Sequence, residues 1–226
     1  MDTASTVKEG GRERSLERTQ VVAEALMLLN EVGYNGLTLR KLADRLHVKA
    51  AALYWHFENK QDLIDSMATT MLLHSFEQTR PPSQNWRDLL DWVAHTNYQT
   101  LTSHRDGVQI LVHANMSQTS MMDGLEALVR GLTEQGFSGE HAMASFFSII
   151  RYTIGCVFEE QADPRKTDPR AERVHPVQRD PERYPYMNKA IAPIISKRRE
   201  NPQFMFELGL NIILDGIGKG LEAQKA

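Results

Sequence analysis

The sequence is short of nearly everything that marks an enzyme, a secreted scaffold or a membrane protein. It holds a single cysteine, Cys156, so no internal disulfide can form, which fits a reducing cytoplasm. No run approaches the roughly 18 unbroken apolar residues that a membrane span requires. Residues Met1 to Gln20 are polar and charged, unlike the apolar centre of a secretory leader. Metalloprotease, redox-cysteine, nucleophile-elbow, Walker and dinucleotide signatures are all missing, so neither an enzymatic activity nor a cofactor is expected. His74, His95, His104 and His113 do not fall into metal-ligand spacing, and no metal is expected either. No stretch alternates apolar and polar residues convincingly enough for a strand. A strong charge of one sign is also lacking. The net charge is −3, with +1 over residues 1–60 and −4 over the rest, so any surface for nucleic acid must be built locally.

What is present reads as helix. The 226 residues, 41% hydrophobic and 24% charged, suffice for one large or two modest soluble cores. Residues 1–14 lack apolar periodicity and are expected to form a flexible arm. From Leu16, apolar residues recur at helical spacing through Val21, Ala25, Leu28 and Val32, and Gly33 is expected to stop the helix. Thr38 suits the N-cap of a short helix carrying Leu39, Leu42, Ala43 and Leu46. A second short helix is expected over Lys49 to Trp55. Asn59 then caps a longer one, residues 60–79, with Leu63, Ile64, Met67, Met71 and Leu72 as its stripe.

Pro81-Pro82 breaks the helical pattern. Beyond it, helices are expected near 84–103, 105–113, 118–135, 139–160, 184–199 and 203–223. Ser138 is placed as a cap, and Asn201-Pro202 as a cap followed by proline at the first helical position. The prolines at 164, 169, 176, 181 and 185, set among charges, mark 161–185 as a mobile loop. The fold class is therefore all-α.

The informative stretch is Gly36 to Asp62, GLTLRKLADRLHVKAAALYWHFENKQD. Two short helices joined by a tight turn, with a helix before them, make a helix-turn-helix that sets its second helix in the DNA major groove. Leu39, Leu42, Ala43, Val48 and Leu53 would fix the angle between the helices, leaving Lys49, Ala50 and Ala52 outward. Tyr54, His56 and Lys60 suit phosphate contacts, and Arg40 could reach a base or a phosphate. Thr38 and Trp55 complete the candidate surface, although Trp55 and Phe57 are assigned mainly to packing.

The run LLNEVGYNGLTLRKLADRLHV, followed by LYWHFENK, resembles the N-terminal domain of the tetracycline-repressor (TetR) family. The likeness continues more weakly through Trp86, His104-Arg105-Asp106-Gly107, Glu134 to Phe137 and Gly155 to Glu159. It implies a three-helix DNA-binding domain over 15–60 and a helical ligand-binding and dimerisation domain over 61–226. By the same likeness, a homodimer binds a palindromic operator and a small molecule releases it. His47 stands where most members have glycine, a left-handed turn position that histidine tolerates. Ala50, Ala51 and Ala52 replace polar or proline residues of the tetracycline-binding members. Alanine touches a thymine methyl but makes no bidentate hydrogen bond. Sequence readout would then lean on Arg40, Lys49 and DNA shape. Lys8, Arg12 and Arg14 of the arm are read as a solvated tail.

For self-association, the sequence offers Ala142, Phe146, Ile149, Ile150, Thr153 and Val157 on one helix face. It also offers Gly209, Gly216 and Gly220 beside Ile213 on another. GIGKG (216–220) follows no strand and is not a phosphate loop. Alignment with the tetracycline-binding members puts Phe76 and Leu111 where they have a ligand-contacting and a magnesium-ligating histidine. Val93 and Asn97 fall where they have asparagine and phenylalanine. Glu159 is kept, but one carboxylate without the imidazole is no metal site. The expected pocket is larger and more apolar: Phe76, Trp92, Val93, Leu111, Met116, Met121, Leu125, Leu128 and Phe147. Asn97, His113, Asn115 and Arg151 would be its polar contacts. Met-and-aromatic walls suit a flat aromatic or polyketide-like ligand. The competing possibility is a helical small-molecule-binding or protein-interaction protein without sequence-specific DNA binding.

Overall fold

The computed structural model describes residues 17–81, 83–115, 119–162 and 180–225. Among these residues there are ten helices and no strand: α1 Arg18–Gly36, α2 Leu39–Arg45, α3 Ala50–Leu53, α4 Lys60–Gln78, α5 Trp86–Thr102, α6 Gly107–His113, α7 Thr119–Thr133, α8 Gly139–Ala162, α9 Pro185–Glu200 and α10 Phe204–Lys225. The proposed arm at 1–14 and most of the 161–185 loop lie outside the described residues. Gln161 and Ala162 belong to α8, and Pro185 opens α9.

Side chains at helix starts set several of these boundaries. The Thr38 hydroxyl accepts from the Lys41 N–H at 3.2 Å, the Asn59 side chain from the Asp62 N–H at 3.0 Å, and Ser138 from the His141 N–H at 3.2 Å. Each satisfies an N–H that the helix cannot, a contribution of about 1 kcal/mol per cap. Asn85 does the same for Arg87 and Asp88. Several expected boundaries move: the second short helix is Ala50–Leu53 rather than Lys49 to Trp55, and the helix expected from 105 begins at Gly107. Gly33 does not end α1; it kinks the helix at φ 71°, and one more turn runs to Gly36. Pro202 lies in a turn before α10, where the Asn201 side chain accepts from the Gln203 N–H at 2.9 Å.

Two apolar cores form. The first draws Leu29, Leu37, Leu42, Leu53, Phe57, Leu63 and Met67 from α1 to α4, and also takes Ile110 from α6. The second gathers Leu90, Leu101, Leu132, Ile149 and Leu214 from α5, α7, α8 and α10. α4 connects them, because its early residues fill the first core while Phe76 packs on the second.

α8 is long and apolar enough to cross a membrane by length and composition alone, yet α5, α7 and α10 pack along it. Its inner face is Ala142, Ser145, Ile149, Thr153 and Val157. Those residues include much of the face the sequence offered for self-association; they are spent inside the chain. The same holds on α10. A Cβ on Gly209 would meet the Tyr152 hydroxyl at 2.0 Å, and one on Gly220 would meet His141 at 2.9 Å. The faces left open are Phe147, Arg151, Gly155 and Phe158 on α8, with Leu208, Ile212 and Gly216 on α10. Hydrophobic periodicity finds an apolar face, but it does not say which of two apolar faces meets the chain's own core.

Candidate functional site

The N-terminal head places its candidate residues through a tight turn. His47 takes the left-handed conformation at φ 55°, and the Val48 N–H closes back on the Ala43 carbonyl at 3.0 Å. Leu42, Ala43, Leu53 and Phe57 are essentially buried, so the angle between α2 and α3 is held by packing. Outside this core lie Thr38, Arg40, Lys41, Lys49, Ala51, Tyr54 and Trp55, all exposed. Trp55 is 89% exposed while Phe57 is fully buried. Of the two aromatics assigned to packing, only Phe57 packs.

The alanines also sort differently from the expectation. Ala51 is the exposed one, whereas Ala50 packs against the head core and Ala52 is half-buried. Lys41 and Ala51 were absent from the sequence candidates. Their signal was their adjacency to Arg40 and Ala50, which short-helix periodicity resolves poorly. His56 is half-buried; its ring tilts against Phe57 and its carbonyl accepts from Arg18.

Charge on the head is divided between structure and surface. Arg45 is committed to Glu24 at 2.8 Å and Glu31 at 2.7 Å. Hydrogen bonds to these two carboxylates raise its pKa above the ordinary arginine value. Arg18 donates to Asp62 at 2.5 Å and Ser66 at 2.7 Å, with its guanidinium over the Phe57 ring. Arg40, Lys41 and Lys49 form no ion pair among the described residues. Their cations are open to an outside anion. Lys60, half-buried, holds its ammonium 4.8 Å from the Tyr34 ring.

The second core brings together much of the expected pocket wall. The Phe76 and Trp92 rings meet edge-on at 5.0 Å. Val93 and Leu128 are buried beside them, and Leu111 and Leu125 pack on the same cluster. Met121 is half-buried. The Asn97 amide, itself buried, donates to the Val93 carbonyl at 2.8 Å. Phe147 and Arg151 sit elsewhere, on the open face of α8, where the guanidinium lies 5.0 Å from the ring. Met116 lies outside the described residues.

His113 and Asn115 are drawn toward the head instead. His113 stacks on Tyr34 at 4.8 Å, its carbonyl accepts from Gln61 at 2.6 Å, and the Asn115 N–H donates to Asp65 at 2.8 Å. They belong to a junction in which the α5–α6 turn grips α1. The Arg105 N–H donates to Asn30 at 2.9 Å, its guanidinium to the Glu31 carbonyl at 2.8 Å, and Asp106 accepts from the Tyr34 N–H at 2.8 Å.

The fold therefore sets a helix-turn-helix with an exposed cationic and aromatic surface beside a larger helical body. This is the plan of a regulator that joins DNA and a small molecule in one chain. Residues 21–67 match the family of bacterial regulatory proteins called tetR, and residues 79–221 match the tetracyclin repressor-like C-terminal domain. The tetracycline repressor of class A from transposon 1721 of Escherichia coli is 38% identical over 206 residues, covering 90% of this chain and 91% of the relative. A solved TetR of class A, in complex with 5a,6-anhydrotetracycline and magnesium, superposes with TM-score 0.65 at 34% identity, covering 90% of this chain and 99% of the other. BioQ with its double-stranded DNA operator superposes with TM-score 0.62 at 25% identity, over 89% and 98% of the two chains. The chain belongs to the TetR family of DNA-binding transcriptional regulators.

Among the described residues, the magnesium of that class A complex finds no matching donor set. Leu111 packs on the apolar core, and Phe76 is engaged with Trp92. Among the described residues no group of three or more His, Cys, Asp or Glu side chains could hold a metal ion.

Proposed function

We propose that this chain is a cytoplasmic repressor that binds a palindromic operator as a homodimer and leaves it when a small hydrophobic ligand binds. The observation that carries the DNA half is the exposed surface of Arg40, Lys41, Lys49, Tyr54 and Trp55 on a tightly packed head. Residues 15–60 form the DNA-binding domain, 61–226 the ligand-binding and dimerisation domain, and α4 links them. Lys41 and Lys60 neutralise phosphates, while Thr38, Tyr54, Trp55 and His56 position the backbone of the duplex. Ala51 offers only a methyl contact. Much of the operator's sequence is then read through Arg40, Lys49 and DNA shape.

The open faces of α8 and α10 support self-association. Phe158 is 47% exposed and Ile212 65%, and a Cβ on Gly155 or Gly216 would meet nothing within 4 Å. Four helices, two from each copy, close over these faces. Closure sets two heads about 34–36 Å apart, one turn of DNA.

Phe76, Trp92, Val93, Leu111 and Leu125 form the wall of the ligand pocket, which suits a flat aromatic, polyketide-like molecule. With leucine at position 111, a magnesium–tetracycline chelate has lost its metal ligand and is not the inducer. The controlled gene encodes an efflux or resistance function. Binding acts through the α5–α6 turn and α6, whose Ile110 is part of the head core.

The test is selection of random duplex DNA by the purified chain, followed by titrations over a salt series. A palindromic site with two chains bound is expected. Two phosphate-bound cations per chain, four per dimer, predict a slope of log K against log salt of about −4. Weak binding with no enriched sequence at any salt concentration would overturn the proposal and favour a helical ligand-binding or protein-interaction role.

A further inference from the structure

We propose that the seam between α4 and α5 is a second ligand site, selective for a cationic, donor-rich group of about the size of one amino sugar. The seam is an open cavity of about 280 Å³, near the lower end of small-molecule sites. Hydroxyl side chains line its floor, and the direction of their protons decides its chemistry.

A carbonyl oxygen can only accept, so each hydroxyl bonded to one has spent its proton. Ser75 donates to the Met71 carbonyl at 3.0 Å and Thr79 to that of Ser75 at 3.0 Å. Thr100 donates to the Thr96 carbonyl at 2.7 Å and Ser103 to that of Thr100 at 2.8 Å. The Thr79 and Thr96 hydroxyls lie 3.5 Å apart. With the Thr79 proton already placed, any bond in that pair runs from Thr96, but 3.5 Å is too long for a firm O–H···O bond. Thr79 also accepts from the Trp92 indole at 3.0 Å, which fills its second lone pair.

Ser75, Thr100 and Ser103 are left with lone pairs and no protons to offer, and Thr96 presents lone pairs beside them. Thr96 and Thr100 are each only 4% exposed, so their acceptor positions are fixed rather than swept by solvent. His74, Gln78 and Gln99 complete the lining, and no acidic or basic side chain other than His74 takes part. At the hydroxyl floor a ligand that accepts would have to pull protons off the helix carbonyls, and only the rim amides of Gln78 and Gln99 could donate to it. A ligand that donates finds the lone pairs ready, and an ammonium donates most strongly. α4 begins at Lys60 in the head, so a guest in this seam bears on the helix joining the two cores.

The experiment is calorimetric titration of the full chain without DNA at about pH 7, where an amino-sugar amine is largely protonated. Its probes are D-glucosamine, D-glucose and N-acetyl-D-glucosamine. Glucosamine is expected to bind about tenfold more tightly than either neutral sugar, the value of one charge-assisted hydrogen bond. The isosteric double variant Thr96→Val, Thr100→Val removes two lone-pair donors to the guest, and the tenfold preference should vanish. On the exposed rim, Gln99→Glu leaves the packing intact and should tighten glucosamine severalfold. Equal binding of the three sugars, or no binding of glucosamine, overturns the site. So does a preference that survives the double variant or ignores Gln99→Glu. Because no operator is present, this outcome is independent of whether the head binds DNA.

Discussion

Asp106 holds the backbone N–H of Tyr34 at 2.8 Å across 72 residues of sequence. Asp106 itself sits in the left-handed region at φ 55°, opening α6, while Tyr34 follows the kink of α1. Arg105 grips Asn30 and Glu31 beside it. One turn between α5 and α6 thus fixes the end of the first head helix.

Gly33 is the residue this arrangement tolerates least change at. Its φ of 71° disfavours any side chain, and a Cβ there would meet the Asp106 carboxylate at 2.6 Å. Gly33→Ala should cost about 1–3 kcal/mol, combining backbone strain with loss of the Asp106 bond. Urea denaturation measures the loss. A variant as stable as the parent would show that the junction relaxes without cost.

Trp55 and Phe57, two residues apart, should behave oppositely. Trp55→Ala removes an exposed ring and should leave the melting temperature unchanged while weakening operator binding about tenfold or more. Phe57→Ala empties the head core and should destabilise it by about 3–5 kcal/mol. Melting curves and operator titrations on both variants separate the two roles.

Acid should loosen the junction through His104. Burial pushes its imidazole below the ordinary histidine value, and its Nδ1 has no hydrogen-bond partner among the described residues. The unfolded chain therefore takes up a proton, near pH 6.5, that the folded chain resists. The His104 contribution is intact above that pH and is lost as pH falls from it through the lower folded value. His104→Gln should flatten the fall in stability below pH 6.5 relative to the parent. Parallel curves for the two proteins would exclude the effect.

Two glycines of α10 give a second contrast. Gly209→Ala drives a methyl into Tyr152, whose hydroxyl bonds the Met205 and Phe206 carbonyls, and should destabilise the chain itself. Gly216→Glu meets open space in the single chain and should leave its secondary structure intact. If two copies pair through this face, sedimentation should show the variant as a monomer. An unchanged dimer would move the interface elsewhere.

The sequence was most legible where the determinants are local. Thr38, Asn59 and Ser138 cap helices as their residue types and positions indicated, because a cap depends on a few neighbouring residues. The helix-turn-helix was likewise contained in one short run. The Asp106–Tyr34 grip and the turn of His113 and Asn115 toward the head could not be read, since each depends on how distant helices meet. Trp55 was misjudged while Phe57 was not, because both rings lie just past the single turn of α3, where periodicity is too short to say which one points inward. On α8 the apolar residues cover two faces, and only packing reveals that Ile149 and Thr153 look inward while Phe147 and Phe158 look out.

Ile110 gives the head a dependence that its sequence boundaries conceal. The side chain is fully buried in a core otherwise made by α1 to α4, although it arrives from α6. A fragment ending with α4 would carry an unfilled hole among its leucines, costing about 2–5 kcal/mol by comparison with large-to-small core changes. A head of this size has little stability to spare. The head is not a transplantable part: grafted onto another sensor, it would need a guest isoleucine at the same spot, or it would arrive half-melted.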